Sequence, residues 1–179
     1  MLLVEAVLAT ENRGKGFRLV HYAVRSNHLH LVCEADERLA LSRGIQRLGS
    51  RVARGINRLL GRSGKLFADR FHARVFRTPR EARRVLAYVL LNAHKDLARR
   101  GARLVGLDPF SSGVYFDGWA HLGPRAPPRL DTDDGGAPVT KPASWLLRVG
   151  WRRAGLIRTD ERAPATAQPR KTSDSAASR

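Results

Sequence analysis

Apolar residues along this chain change their repeat several times, and each change marks an element. Residues 2 to 10, LLVEAVLAT, read as a short helix, which the glycines of NRGKG, 12 to 16, bring to an end. FRLVHYAV, 17 to 24, and HLHLVCE, 28 to 34, then alternate apolar with polar positions and are rich in aromatic and β-branched residues. That pattern predicts two strands. RSN, 25 to 27, joins them as a turn, so the pair forms a hairpin.

The period then lengthens. From 37 to 62, Leu41, Ile45, Leu48, Val52, Ile56 and Leu59 recur at spacings of three and four, and so do Arg43, Arg47, Arg51, Arg54, Arg58 and Arg62. At 100° per residue the apolar and arginine stripes are centred roughly 130° apart, as on an amphipathic helix. Gly44, Gly49 and Gly55 each weaken it by up to about 1 kcal/mol and mark places for a kink. GRSGKL, 61 to 66, is a loop. LFADRFHARVF, 66 to 76, reads as a strand or a bent pair of strands, with Phe67, Phe71 and Phe76 set among Arg70, His72, Arg74 and Arg77.

A second helix spans 78 to 101. Thr78 is its N-cap, Pro79 takes the first helical position, and Glu81 completes a Thr-x-x-Glu capping box. Gly101 follows a basic last turn and closes it. Ala82, Leu86, Val89, Ala93 and Leu97 form the core stripe. Tyr88 and Asn92, four apart, lie to one side of it, within about 40° of each other on a helical wheel. Beyond Gly106 the composition shifts to a turn-rich aromatic segment, 108 to 119, and a Pro/Gly/Asp linker, 123 to 142. A short amphipathic helix with two tryptophans follows at 143 to 157, and the polar tail from Thr159 is expected to be disordered.

Charge adds a partner class. The chain carries 33 Lys and Arg against 16 Asp and Glu, a net charge of +17. Between Arg38 and Arg103 there are 18 basic residues and three acidic ones, Asp69, Glu81 and Asp96. Such a balance favours a polyanion, above all nucleic acid. A merely solvated helix face usually mixes glutamate among its basic residues; the arginine stripe holds none, which favours phosphate contact. Phenylalanines interleaved with arginines at 67 to 77 suit single strands, with rings stacking on bases, though each ring equally suits a core. Cys33 is the only cysteine, so no disulfide forms within the chain. No run of 18 apolar residues is present and the first ten residues lack a basic start. A cytoplasmic, nucleoid-associated protein without membrane contact is expected.

Strand alternation sends the side chains of His28 and His30 to one face, about 7 Å apart at Cα, and those of Leu29, Leu31 and Cys33 to the other. Two imidazoles on one face allow a divalent metal without requiring one. Cys33 is on the wrong face to join them and reads as core. Tyr22, which lacks a ligand partner four residues on, and Tyr115, in a loop-like segment, are rival nucleophiles. His72 and His94 are lone histidines, more readily ordinary polar residues than ligands.

In order along the chain stand Asn27-His28-Leu29-His30, then Gly64-Lys65-Leu66-Phe67-Ala68-Asp69-Arg70-Phe71, then Tyr88 and Asn92 within YVLLN. This succession, over roughly 17 to 104, resembles the single-tyrosine HUH transposases, in particular the REP-associated tyrosine transposases. The resemblance implies an α+β fold, a ferredoxin-like antiparallel sheet with helices packed on it, over 1 to 106. It implies a C-terminal extension over 107 to 158, outside the shared core, and a tail over 159 to 179. It further implies a single-stranded DNA transposase or nickase acting on hairpin or repeat DNA, as monomer or homodimer. Tyr88 would be the nucleophile that forms a 5′-phosphotyrosine, and His28, His30 and Asn92 would hold Mg²⁺ or Mn²⁺. Arg43, Arg47, Arg51, Arg54, Arg58, Arg70, Arg74, Arg77, Arg84 and Lys95 are the expected DNA contacts. Two features depart from the family. NAHKD replaces its usual NPVRA after the asparagine, so the helix is expected to run on. No strand precedes the helix at 2 to 10, so the first strand either lies upstream or is missing, leaving a sheet edge exposed. In the latter case the chain is an inactive relic that only binds nucleic acid.

Overall fold

The computed structural model describes residues 2–11, 16–68, 71–99, 101–102, 104, 106–122, 130–132 and 136–161. The alternating segments form a hairpin, β1 (Phe17–Val24) and β2 (Leu29–Ala35), paired antiparallel from Phe17 opposite Ala35 to Val24 opposite Leu29. An irregularity between Leu19 and His21 inserts Val20 as an extra residue on β1. It turns Val20 and His21 to one face while Leu19 and Tyr22 keep the other.

Both faces of this hairpin are covered, which explains why β1 is buried almost end to end. On one face Phe17, Leu19, Tyr22 and the Leu29, Leu31, Cys33 series pack against α1 (Leu2–Glu11) and α2 (Arg38–Leu59). Leu48 and Val52 of α2 are buried, and Leu41, Ile45 and Ile56 flank them half-buried. The expected apolar stripe ends there, because Leu59 at the helix end is 70% exposed. Gly44 is not a kink; α2 runs unbroken through it. A Cβ at Gly44 would stand 2.4 Å from the Phe17 ring, so the missing side chain lets helix and strand touch.

The opposite face carries Val20, Ala23 and Val32, which pack against α3 (Pro79–Leu90). The capping box forms as the sequence predicts: the Glu81 amide donates to the Thr78 hydroxyl, and Glu81 accepts from the Thr78 amide. The helix does not run to 101 in one piece. It stops at Leu91 and restarts as α4 (Asn92–Arg99). Leu90 and Leu91 share a core cluster with Val20 and Val32, and Asn92 and Ala93 after them are also buried.

Phe116, Leu147, Trp151 and Ile157 complete the core beside α3, so 107 to 158 shares that core. Its expected amphipathic helix is two short pieces, α5 (Trp145–Arg148) and a 3₁₀ turn at Gly150–Ala154. A Cβ at Gly150 would meet the Trp145 ring at 2.6 Å, so the chain folds tightly back there. Phe110 and Ser112 lie along the outer edge of β1. The Val24 amide donates to the Phe110 carbonyl and the Tyr22 amide to the Ser112 hydroxyl.

Among the described residues the sheet has two strands, so a full ferredoxin-like sheet is not seen. The expected strand at 66 to 76 is irregular chain where described, with 71 to 75 exposed. Its pattern explains this. Phe67 and Phe71 share one face of an extended chain, but Phe76, five residues on, falls on the other. Neither face is apolar enough to hold the segment in a ladder. No described helix is long and apolar enough to cross a membrane.

Candidate functional site

Hairpin and helix bring the first site residues together. His28 stands at the mouth of the turn and His30 second in β2, with side chains toward the α3 layer. Their Nε2 atoms are 2.9 Å apart and their rings meet edge to face at 4.5 Å between centroids. Asn27 fixes the pair: its side-chain oxygen lies 2.6 Å from His28 Nδ1 and accepts that proton, which leaves His28 Nε2 as the acceptor toward His30. Tyr88, in the last turn of α3, packs edge to face on His30 at 5.0 Å between centroids. The alternation argument therefore holds: Leu29, Leu31 and Cys33 point into the α2 layer. Burial pushes the Cys33 thiol up to about 12, as suits a core residue.

Two nitrogens bound about 2.1 Å from one ion at right angles stand about 3.0 Å apart. The 2.9 Å imidazole separation matches that spacing, and the ion would stand off the line joining the two nitrogens. Asn92, the third proposed ligand, opens α4 and is 4% exposed. The four-residue spacing from Tyr88 spans the break at Leu91 instead of one continuous helix face. Among the described residues, no group of three His, Cys, Asp or Glu side chains could hold a metal.

The proposed DNA contacts divide between two layers. Arg74 and Arg84 are exposed and line the cleft with His30 and Tyr88. Arg77 is exposed just ahead of α3. Arg43, Arg47, Arg51, Arg54 and Arg58 are exposed along α2, on the far side of the hairpin from the histidines. Arg70 and the side chain of Lys95 lie outside the described residues, as does Asp69 of the GKLFADRF segment. His72 lies exposed on the cleft wall.

The rival tyrosines are placed for other work. Tyr22 is fully buried and donates to Glu5 at 2.9 Å; burial first, then that carboxylate, drives its phenol far above the ordinary range. Tyr115 is half-buried in a 3₁₀ turn, Ser112–Tyr115, on the α2 side of the hairpin.

Sequence reasoning missed the anchor of the hairpin turn. Arg25 is an ion-pair partner of Asp108, with side chains 8% and 1% exposed, and lies 4.0 Å from Asp96. It ties the turn carrying Asn27 and His28 to the middle of α4 and to the 108 loop. No local signal marks this pair, because its members are 83 residues apart. His21 was also unremarked. It is buried, meets Ser112 Oγ at 3.1 Å and packs edge to face on Phe116.

No family model, curated protein or solved structure matches the chain.

Proposed function

We propose that this chain is a metal-dependent tyrosine transposase or nickase acting on single-stranded or hairpin DNA. One observation carries the reading: a tyrosine ring rests against His30, whose Nε2 stands at ligand spacing from that of His28. Those three side chains come from the hairpin and from α3, more than fifty residues on along the chain. In this reading Tyr88 Oη attacks the scissile phosphorus. The P–O3′ bond breaks, the 3′-oxygen takes up a proton, and the 5′-phosphate stays on the phenol oxygen. His28 and His30 would hold Mg²⁺ or Mn²⁺, which supplies charge stabilisation at the phosphate when bound. Arg74 and Arg84 would hold neighbouring phosphates beside the tyrosine, and the α2 arginines would form an outlying phosphate track.

The test is covalent capture. With Mn²⁺ and a hairpin oligonucleotide, the protein is expected to form an adduct that survives denaturation. Tyr88→Phe is expected to lose the adduct while retaining DNA binding within about threefold. An adduct that persists in Tyr88→Phe contradicts the assignment.

A second reading has its own support. Asn92 is buried at the start of α4, and among the described residues no group of three His, Cys, Asp or Glu side chains could hold a metal. A chain that binds nucleic acid without cutting it would show salt-sensitive binding and no adduct with either metal.

A further inference from the structure

The hairpin is firm along its ladder and bare at its tip. Its last ladder pair is Val24 opposite Leu29, and beyond that the Arg25 amide donates to the His28 carbonyl at 2.9 Å. Ser26, Asn27 and His28 are exposed, so apolar burial does not fix the turn. His30 lies within the ladder, opposite Ala23, whereas His28 lies outside it. The 2.9 Å between their Nε2 atoms therefore depends on how the turn is held.

One side chain of the turn goes inward. Arg25 is 8% exposed and pairs with Asp108, which is 1% exposed. The carboxylate is itself fixed. Its other oxygen accepts from the Phe110 amide at 2.9 Å, and the Asp108 carbonyl accepts from the Ser111 amide and hydroxyl at 3.1 and 3.0 Å. The same loop reaches β1 twice more. The Phe110 carbonyl accepts from the Val24 amide at 2.8 Å, and Ser111 forms a bridge with Ala23. Residues 108 to 111 thus hold the chain on both sides of the point where the ladder ends. Asp96 of α4 stands 4.0 Å from Arg25 Nε, too far for a hydrogen bond, and that nitrogen has no hydrogen-bond partner among the described residues. Asp108 is the group that compensates the buried guanidinium. A buried charge that loses its partner destabilises its surroundings or moves to water. An Arg25 side chain released to water no longer holds the turn from within.

We propose that Asp108 is a positioning residue for the histidine pair: through Arg25 it sets the turn so that His28 Nε2 stands at ligand spacing from His30 Nε2. The inference rests on the reading of that pair as a metal site. It makes the segment after 107, which holds none of the proposed ligands, a working part of that site. Groups that orient a ligand without touching the ion commonly change metal affinity by about 10- to 100-fold.

The experiment uses the full chain and two nuclear magnetic resonance readouts. Without metal, the ring-to-ring Overhauser effect between His28 and His30 reports their spacing. With Mn²⁺ added, broadening of the two ring signals reports affinity at the pair. Asp108→Asn keeps the side-chain shape and removes its charge. Folded by circular dichroism, it is expected to lose most of the Overhauser effect and to bind Mn²⁺ about tenfold or more weakly. Glu161→Gln breaks the ion pair by which the same segment holds Arg83 of α3, and is expected to leave both readouts as in the parent. Where Asp108→Asn does not fold, Arg25→Lys takes its place with the same expectations, since it keeps the charge but loses the forked donor. A folded variant that keeps the parent's Overhauser effect overturns the proposal, even where Mn²⁺ binds more weakly, because loss of a nearby carboxylate charge alone would do that. An equal loss in Glu161→Gln overturns it too, by assigning the effect to general loosening of the segment. A parent whose His28 and His30 signals do not broaden with Mn²⁺ contradicts the metal reading instead, and the metal-free Overhauser comparison then decides the positioning role by itself.

Discussion

His21 shows how burial, more than residue type, sets the chemistry of a side chain here. Its ring is enclosed between Ser112 and Phe116, and burial lowers its pKa from 6.5 to about 3. The folded state holds it neutral, while the unfolded chain takes up a proton below about pH 6.5. Its contribution to stability is therefore complete above pH 6.5 and is lost as pH falls toward 3. Denaturant midpoints are expected to drop across that window, and less steeply in His21→Gln, measured against the same variant at pH 7.5. A slope that does not change in the variant would assign the acid sensitivity to other groups. His28, in the turn, is exposed, and His30, in β2, is half-buried. Alternation distinguishes the two strand faces, so the convergence of that pair and the core role of Cys33 are legible in the sequence. The buried pairing of Arg25 with Asp108 is not, because nothing near either residue announces a partner 83 positions away.

At the scale of elements, close approach outweighs intrinsic propensity. Gly44 looks like a weakness in α2, and helix propensity alone would have Ala improve it by up to about 1 kcal/mol. The Phe17 ring occupies the space where a Cβ would stand, at 2.4 Å. Gly44→Ala is expected to destabilise the fold by about 1–3 kcal/mol, since overpacking has to move a buried strand residue or the helix. Urea unfolding measures this directly, and a variant more stable than the parent would contradict the packing described. Capping signals at Thr78, Pro79 and Glu81 locate the start of the second helix, because caps are local. Its break at Leu91 carries no such local signal, and sequence periodicity takes 78 to 101 for a continuous helix.

On the scale of the whole molecule, the two-stranded sheet is stabilised by being covered on both faces. One cover is α1 and α2; the other is α3 joined by the segment after 107. Composition separates that segment from the rest, yet Trp151 is among its most deeply buried side chains and stacks near Phe116 at 5.2 Å between ring centroids. Trp151→Ala is expected to cost about 3–5 kcal/mol, and to lower a single cooperative transition instead of melting a separate extension. Two resolved transitions in the parent would show the extension to be independent. Composition cannot reveal this docking, because tryptophans in a Gly- and Pro-rich stretch serve an exposed patch and a buried strap equally well. The hairpin, by contrast, is visible in both: alternation predicts its two strands, and they pair antiparallel in the structure.

The central claim concerns one oxygen atom, and peptide mapping of the covalent adduct tests it most directly. Protein, Mn²⁺ and hairpin DNA are incubated, the adduct is digested with nuclease and protease, and mass spectrometry locates the nucleotide-bearing residue. A nucleotide phosphate on the peptide containing Tyr88 is the predicted result. A phosphate on the peptide of Tyr22 or Tyr115, or no adduct with either metal, would contradict the account.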